Sequence, residues 1–514
     1  MPLISAWRWW LPPAIVSLIL ILIFVDPFIG DWDALEYTVS AVRGYPSSMA
    51  LGRGLFIFYN HALYLAAHSL FNLSAQRAYL LFKYVVVAQG LLSVVACWTL
   101  ARDLSGSLVA ATIAALLVAT SPMFVVYSGQ VMTDVPALLL INIALIIHLR
   151  GLQQRRMLLV LIGAALLGAG VNLRETVLFY APWLVLAPFC CEWKLRRRDF
   201  SMMILSCVIF FLFAFGGFVY WFLSDPAYRA AWFGWRESMR VESARHPPDI
   251  RNVWPWLMFL FATSPLILIT IPIALVNQWR ERKWSPIFLL ALVGLFADIL
   301  LLLNYSTAIN WRYLLSGLPA LAPLGASFLT RSLTKRFASS RSALIACSAV
   351  IGVIAIAFVV FLWPLRLAQV EVRAAAKDYD RQLAQLPRDA VMISGAQTVA
   401  VMFWGEMGEG QWEVIGTGSG WPESRLANVI EDHLKQNRRV FIDTDPRWWQ
   451  PCGWHISEIG ELTKIEPRFH FRRVTQTIYE IRPITDPNAT DAPELKTLLP
   501  EYRVNEVKKC FNPG

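Results

Sequence analysis

Up to about residue 364 the chain is a succession of apolar runs separated by short polar stretches, and beyond it the pattern changes to short alternating elements. A bilayer core about 30 Å thick asks for about 20 apolar residues per crossing helix. Eleven runs qualify, at residues 10–28, 79–101, 105–121, 131–149, 157–172, 176–190, 202–223, 254–276, 286–303, 313–329 and 342–363. The fifth and sixth are short, so Asn172-Leu173-Arg174-Glu175 between them is expected to be a tight turn near one membrane surface, with a merged or re-entrant hairpin as the alternative. In the tail, 390–394 and 439–443 read as buried strands, 423–436 as an amphipathic helix and 476–481 as a final strand. The expected architecture is therefore a polytopic α-helical membrane body of about 11 transmembrane helices, residues 1–364, followed by a small C-terminal α/β domain, residues 365–514.

Composition supports this division. The 514 residues are 56% hydrophobic and only 16% charged, which excludes a string of soluble domains and a disordered chain alike. The body holds 27 Lys+Arg against 15 Asp+Glu and the tail 19 against 21, so the formal net charge of +10 belongs to the body. Orientation signals in membrane loops explain that excess, and nucleic acid is discounted as a partner. With a cytosolic N-terminus the inner loops carry sixteen basic residues and the outer ones ten over a longer stretch, which fits the positive-inside rule and puts the tail outside the cytosol. A bacterial inner membrane is the expected location. Of the 7 cysteines, only Cys452 and Cys510 fall in the tail, where a disulfide between them is open.

Under this topology Asp31, Asp33, Glu36, Asp134, Glu175, Glu237 and Glu242 share the outer side with Arg53, Arg174, Arg236, Arg240 and Arg312. Charges next to hydrocarbon are costly unless paired or facing a wet cavity, so such a gathering points to function. Asp298 is the one acidic residue near mid-membrane, and the pattern offers no role for it. The first outer loop, about 26–78, is longer than a connector needs. A helix starting near Asp33 puts Asp33, Glu36 and Tyr37 on one face; these acids then serve as helix caps or first-turn charges, or as a base that takes a proton from a hydroxyl. Asp31-Trp32-Asp33 also has the spacing of a metal-chelating pair, and His61 and His68 are either metal ligands or interfacial side chains.

Four segments carry a resemblance to a known family: Asp31-Trp32-Asp33-Ala34-Leu35-Glu36-Tyr37, Ser128-Gly129-Gln130-Val131-Met132-Thr133-Asp134-Val135-Pro136, Leu173-Arg174-Glu175, and Arg312-Tyr313-Leu314-Leu315-Ser316-Gly317-Leu318-Pro319. In order and placement they resemble the GT-C superfamily of integral-membrane glycosyltransferases, in the branch of dolichyl-phosphate-mannose protein mannosyltransferases and aminoarabinose transferases. The resemblance implies an enzyme that moves a sugar, with inversion, from a polyprenyl-phosphate lipid to a glycan, lipid or protein acceptor on the outer face. It places a first-loop acid beside the acceptor as base, Asp33 or Asp31 with Glu36 close by and Asp33 the first choice, Arg312, Arg174 and Tyr313 at the donor phosphate, and Asp134 at a second acidic position. The acids here are spaced as Asp31, Asp33 and Glu36 where the family has an adjacent Asp-Glu pair. No cofactor is required, and a divalent metal remains open.

For several of these residues a plainer role stands beside the functional one. Arg312 also suits snorkelling to the interface beside Trp311 and Tyr313, and Glu175 is expected to neutralise Arg174. Arg236 and Arg240, one helical turn apart, belong to an interfacial helix that has room for loop contacts to lipid or acceptor. The competing functions are a flippase or transporter of lipid-linked sugars and a non-catalytic scaffold for envelope assembly.

Overall fold

The computed structural model describes residues 6–25, 32–191, 197–245, 250–280, 285–302, 311–336, 340–394, 412–416, 425–444 and 468–485. The chain divides into two compact units: Met1–Pro27, Ser40–Asn72 and Tyr79–Val370 form one, and Phe28–Val39, Leu73–Ala78 and Glu371–Gly514 the other.

The first unit is helical. Among the described residues five helices are long and apolar enough to cross a bilayer: Trp7–Phe24, Arg77–Ser105, Asp134–Gln154, Asp199–Ser224 and Arg312–Lys335. Two further pairs bring the number to seven if each counts as one span: Leu108–Ala119 with Pro122–Ser128, bent by 65°, and Val253–Thr263 with Pro265–Arg280, bent by 109°. Shorter apolar helices lie at Met157–Val171, Glu175–Cys190, Pro286–Leu301 and Gly352–Pro364. Exposed Leu22, Ile23, Leu158, Phe211, Leu212 and Ile356 cover their outer surface, which suits hydrocarbon and would be a liability in water.

The run at 254–276, read as a continuous span, is broken, and the run at 105–121 ends at a break beyond which a further short helix, Pro122–Ser128, follows. Each break is a serine followed by proline, Ser121-Pro122 and Ser264-Pro265, where the missing N–H and the ring force the preceding residue out of the helical region. Ser121 accordingly has ψ 123°. Its hydroxyl lies 3.1 Å from the Thr263 hydroxyl, so the two breaks meet and share a hydrogen bond.

The expected turn at 172–175 is present. The Arg174 N–H donates to the Gly170 carbonyl at 2.9 Å, and a 3₁₀ turn, Glu175–Tyr180, follows. A second 3₁₀ turn, Trp311–Gly317, precedes the helix Leu318–Arg336.

In the second unit, β1 (Val391–Ser394), β2 (Glu413–Gly416), β3 (Val440–Asp443), β4 (Phe469–Arg473) and β5 (Ile478–Pro483) form a sheet of order β2-β1-β3-β5-β4. β1 is parallel to β2 and β3, while β5 is antiparallel to β3 and β4. Alternation divides the strand residues between two faces. Val391, Ile393, Val440, Ile442 and Ile481 pack with Ala427 and Ile430 of the helix Arg425–Lys435. Met392, Phe441 and Ile478 pack with Leu383 and Leu386 at the end of the long helix Ser340–Leu383. The Gln382 side-chain oxygen accepts from the Thr475 and Thr477 hydroxyls and the Thr477 N–H, docking that helix end on the β4–β5 turn.

All four of the expected tail elements are observed within two residues. β2 and β4 were not anticipated; they are four and five residues long. Cys452 and Cys510 lie outside the described residues.

Candidate functional site

The geometry of the first unit centres on Arg174. The turn at 172–175 inserts its side chain into the protein, where the residue is 1% exposed. Nε stands 3.3 Å from Asp134 Oδ1, with both side chains almost wholly buried. Nη1 donates to the Thr133 hydroxyl at 3.3 Å, and the guanidinium lies over the Tyr313 ring, 4.5 Å from its centroid. Nη2 has no hydrogen-bond partner among the described residues. Burial works against the Arg174 charge, but Asp134, Tyr313 and Glu175 together outweigh it and the guanidinium stays protonated.

Asp134 occupies the first turn of Asp134–Gln154, where a carboxylate also suits the helix dipole. Structure thus gives it both the capping-end location and a buried ionic partner.

Arg312 shares the same aromatic ring. Its guanidinium is 5.6 Å from the Tyr313 centroid and 5.7 Å from that of Tyr127, and Nη1 approaches the Met132 sulfur at 3.9 Å. At 4% exposure it does not reach out to interfacial water as a snorkelling arginine does. Tyr313 is therefore flanked by two buried guanidiniums. Such contacts are each worth about 0.5–2 kcal/mol and fix the planes of the two forks.

The expectation that Glu175 neutralises Arg174 is not what the structure shows. Glu175 pairs with Arg53, whose Nη1 also reaches the Leu173 carbonyl at 3.4 Å, and Asp134 takes Arg174. The reason is reach: consecutive residues at the start of a 3₁₀ turn point in different directions, so Glu175 faces the first-loop helix and Arg174 the interior. Partial desolvation raises the Glu175 carboxyl, but Arg53 and then Arg174 overcome it and hold it at about 2 instead of the ordinary 4.5. A depressed pKa gives stability that is complete above the ordinary value and is lost as the pH falls toward the folded one. In Glu175→Gln the thermal midpoint in detergent is therefore expected to fall at pH 7, and the gap to wild type to close between about pH 4.5 and 2. A gap independent of pH would contradict the pairing.

Arg53 was not singled out as a site residue. It sits between Gly52 and Gly54 with φ 51°, at the start of Gly54–Phe71. Gly52 has φ +87°, and a Cβ there would lie 2.6 Å from the Tyr228 hydroxyl. The available signal was an arginine bracketed by glycines in an otherwise apolar loop.

Gly52, Gly54 and Asn172 also line a pocket of about 400 Å³, together with Leu55, Phe58, Leu212, Phe218 and Trp221 among others. Its walls are overwhelmingly apolar. Residues that flank Arg53 and precede Arg174 thus bound a hydrophobic recess.

Other candidates are placed differently. Arg240 pairs with Glu237 at the surface, and Arg236 lies over Trp232 of the same helix, Pro226–Arg245. That helix docks on the first loop through Trp232, whose indole N–H donates to the Ala50 carbonyl at 2.8 Å. His61 Nδ1 meets the Ala41 carbonyl at 2.8 Å, and His68 packs on Tyr64. Among the described residues no group of three or more His, Cys, Asp or Glu side chains is placed to hold a metal ion.

In the second unit, Asp33 stands in the first turn of the helix Trp32–Arg43. It is partly buried, as is Glu36, while Tyr37 is fully buried. Asp31 lies outside the described residues.

The described residues thus comprise a bundle of apolar helices with a buried acid–arginine pair at helix ends, and a small mixed sheet. Residues 61–221 match the family model described as dolichyl-phosphate-mannose-protein mannosyltransferase. The chain is similar in fold to ArnT from Cupriavidus metallidurans, in the apo state and bound to undecaprenyl phosphate. In both, identity is 13% and the TM-score 0.53, covering 93% of this chain and 98% or 99% of that one. It is similar also to the oligosaccharyltransferase AglB from Archaeoglobus fulgidus, solved with an inhibitory peptide and a dolichol-phosphate, at 12% identity and a TM-score of 0.51, over 98% of this chain and 77% of that one. No curated protein matches the sequence. Residues 61–221 thus resemble the protein mannosyltransferase family, the fold resembles those of ArnT and AglB, and the chain is a membrane protein.

Proposed function

We propose that this protein is a glycosyltransferase that takes its sugar from a polyprenyl-phosphate carrier and delivers it to an acceptor on the extracytosolic face. The observation that carries the reading is Arg174: a buried guanidinium whose Nη2 has no partner, beside Arg312 across Tyr313, with an apolar recess bounded by residues next to it in the chain. A buried donor left unmade costs about 1–3 kcal/mol, a cost that an anionic ligand would relieve. Guanidinium forks match phosphate oxygens, and the recess suits the hydrocarbon chain of a lipid. The name of one structural neighbour includes undecaprenyl phosphate and that of another dolichol-phosphate, which supports a lipid of this class.

In the proposed reaction a first-loop acid, Asp33 with Asp31 and Glu36 as alternates, removes the acceptor proton. The acceptor oxygen attacks the sugar's anomeric carbon as the bond to the lipid phosphate breaks, inverting the centre, and the electron pair leaves with the phosphate. The donor is a phosphodiester and the product a phosphate monoester, so negative charge grows next to Arg174 and Arg312 during the step. Fixed cations aimed at developing charge are the strongest form of electrostatic catalysis. The topology proposed for this reaction has eleven spans, with the sheet-bearing tail outside the cytosol.

Reconstitution with a panel of polyprenyl-phosphate sugars, followed by mass measurement of released carrier and glycosylated product, tests the proposal. Carrier release coupled to product is the expected result. Sugar lipid crossing vesicles without bond formation would make the protein a transporter instead.

A further inference from the structure

Asp298 lies inside the apolar helix Pro286–Leu302 and is 1% exposed. The Trp256 indole N–H donates to its Oδ2 at 2.8 Å, while Oδ1 has no hydrogen-bond partner among the described residues. A polar side chain is kept in such a place only when something is gained from it. What Oδ1 faces is Gly317, the last residue of the 3₁₀ turn Trp311–Gly317: a Cβ on Gly317 would lie 2.6 Å from it.

The approach is built into the helix surface. Gly294, one turn before Asp298, has no room for a Cβ either, because Ala320 stands 2.4 Å from where it would be. Positions i and i+4 share a helix face, so Gly294 and Asp298 together seat the helix against Gly317 and Ala320. Small residues permit such close contact between apolar helices.

The same turn is tied from a third side. The Tyr180 hydroxyl donates to the Ser316 carbonyl at 2.5 Å, and the Ser316 hydroxyl closes the turn on the Tyr313 carbonyl at 3.0 Å. Tyr180 ends the 3₁₀ turn that begins after Arg174. The two arginine-bearing turns are thus joined at one end by Tyr180 and Ser316, and at the other by Arg174 over Tyr313. A short 3₁₀ turn has poor hydrogen-bond geometry of its own and takes its shape from such anchors.

We propose that Asp298, held by Trp256, is a positioning residue: it sets the Trp311–Gly317 turn so that Arg312 and Tyr313 stand against Arg174 in the geometry that receives the lipid phosphate. The inference rests on the phosphate reading above. Asp298 touches the turn and not the ligand, so its effect passes through Gly317.

The test is binding of undecaprenyl phosphate to the full-length protein in detergent, for wild type, Arg174→Ala, Asp298→Ala, Asp298→Asn, Gly317→Ala and the Asp298→Ala/Gly317→Ala double variant. Asp298→Ala is expected to weaken binding about tenfold, since misplacement on the order of 1 Å is costly at such sites. Asp298→Asn keeps the shape and an acceptor for Trp256 and is expected to bind within about threefold of wild type. Gly317→Ala drives a methyl into the carboxyl and weakens binding; with Asp298 shortened as well, the double variant is expected to bind no worse than Gly317→Ala alone. Two independent structural lesions would multiply instead, and that result would overturn the proposal, as would wild-type affinity in Asp298→Ala. If Asp298→Ala does not fold, Asp298→Asn and Gly317→Ala still decide, because wild-type affinity in Gly317→Ala overturns the proposal. If Arg174→Ala binds as well as wild type, or wild type does not bind, the phosphate reading falls and this one with it; if Arg174→Ala fails to bind while Asp298→Ala is normal, only this one falls.

Discussion

Arg174→Ala is expected to lower sugar transfer by roughly 100-fold or more, the equivalent of about 3 kcal/mol of lost transition-state stabilisation. The loss should appear mostly in kcat, because the charge on the lipid phosphate increases as the glycosidic bond breaks and the guanidinium's contribution increases with it. The substitution also removes the buried partner of Asp134, whose side chain is 3% exposed. Truncating one side of a buried pair costs about 3–5 kcal/mol of stability. Arg174→Ala should therefore be compared with Arg174→Ala/Asp134→Asn, which leaves no uncompensated carboxylate. If the double variant regains stability and stays inactive, the guanidinium acts on the reaction; if it regains activity, Arg174 serves only to neutralise Asp134. Arg174→Lys keeps a charge without the planar fork and should fall between the two.

Asp33→Asn is expected to have the other large effect, a loss of about 10²–10⁴ in transfer, the range assigned to general acid–base catalysis. Lipid-phosphate affinity should be little changed, since the asparagine alters the acceptor side alone. Glu36→Gln and Asp31→Asn separate the alternatives: the base is the position whose neutral isostere loses turnover while binding stays intact. If all three keep wild-type turnover, the base is not in the first loop.

The helical body was legible because hydrocarbon imposes a length and a polarity on a crossing segment. Each of the eleven apolar runs overlaps a helix, although among the described residues only five helices, or seven with the two bent pairs, are long and apolar enough to cross a bilayer. Continuity was less visible. Ser-Pro at 264–265 breaks one run without reducing its apolarity, so hydropathy passes over a feature set by one ring and one missing N–H, and the short helix after Ser121-Pro122 was not expected. The first arginine turn was recognisable from Leu173-Arg174-Glu175, whose charges stand out against apolar neighbours, whereas the turn Trp311–Gly317 falls at what reads as the start of the tenth span.

Pairing was not legible. Whether Arg174 meets Glu175 next to it or Asp134 forty residues away depends on side-chain directions in a 3₁₀ turn, which sequence spacing does not encode. Arg53 was passed over for the same reason, its partner being Glu175 across the fold. Asp298 stood out at once as a mid-span acid, yet its neighbours Trp256 and Gly317 come from two other segments. In the tail, β1 and β3 carry strongly apolar sequence and β5 alternates, whereas β2 is only four residues long, with Ile415 in the core and Glu413 and Gly416 at its ends, too little pattern to distinguish from a loop.

The central claim is that buried arginines hold the phosphate of a polyprenyl lipid. A structure of the full-length protein with undecaprenyl phosphate tests it most directly. Phosphate oxygens within hydrogen-bond distance of Arg174 Nη2 and of the Arg312 guanidinium, with the first isoprene units in the recess beside Gly52 and Asn172, is the predicted result. A lipid bound with its phosphate away from both arginines, while Arg174 remains on Asp134 and Tyr313 as described, would contradict it.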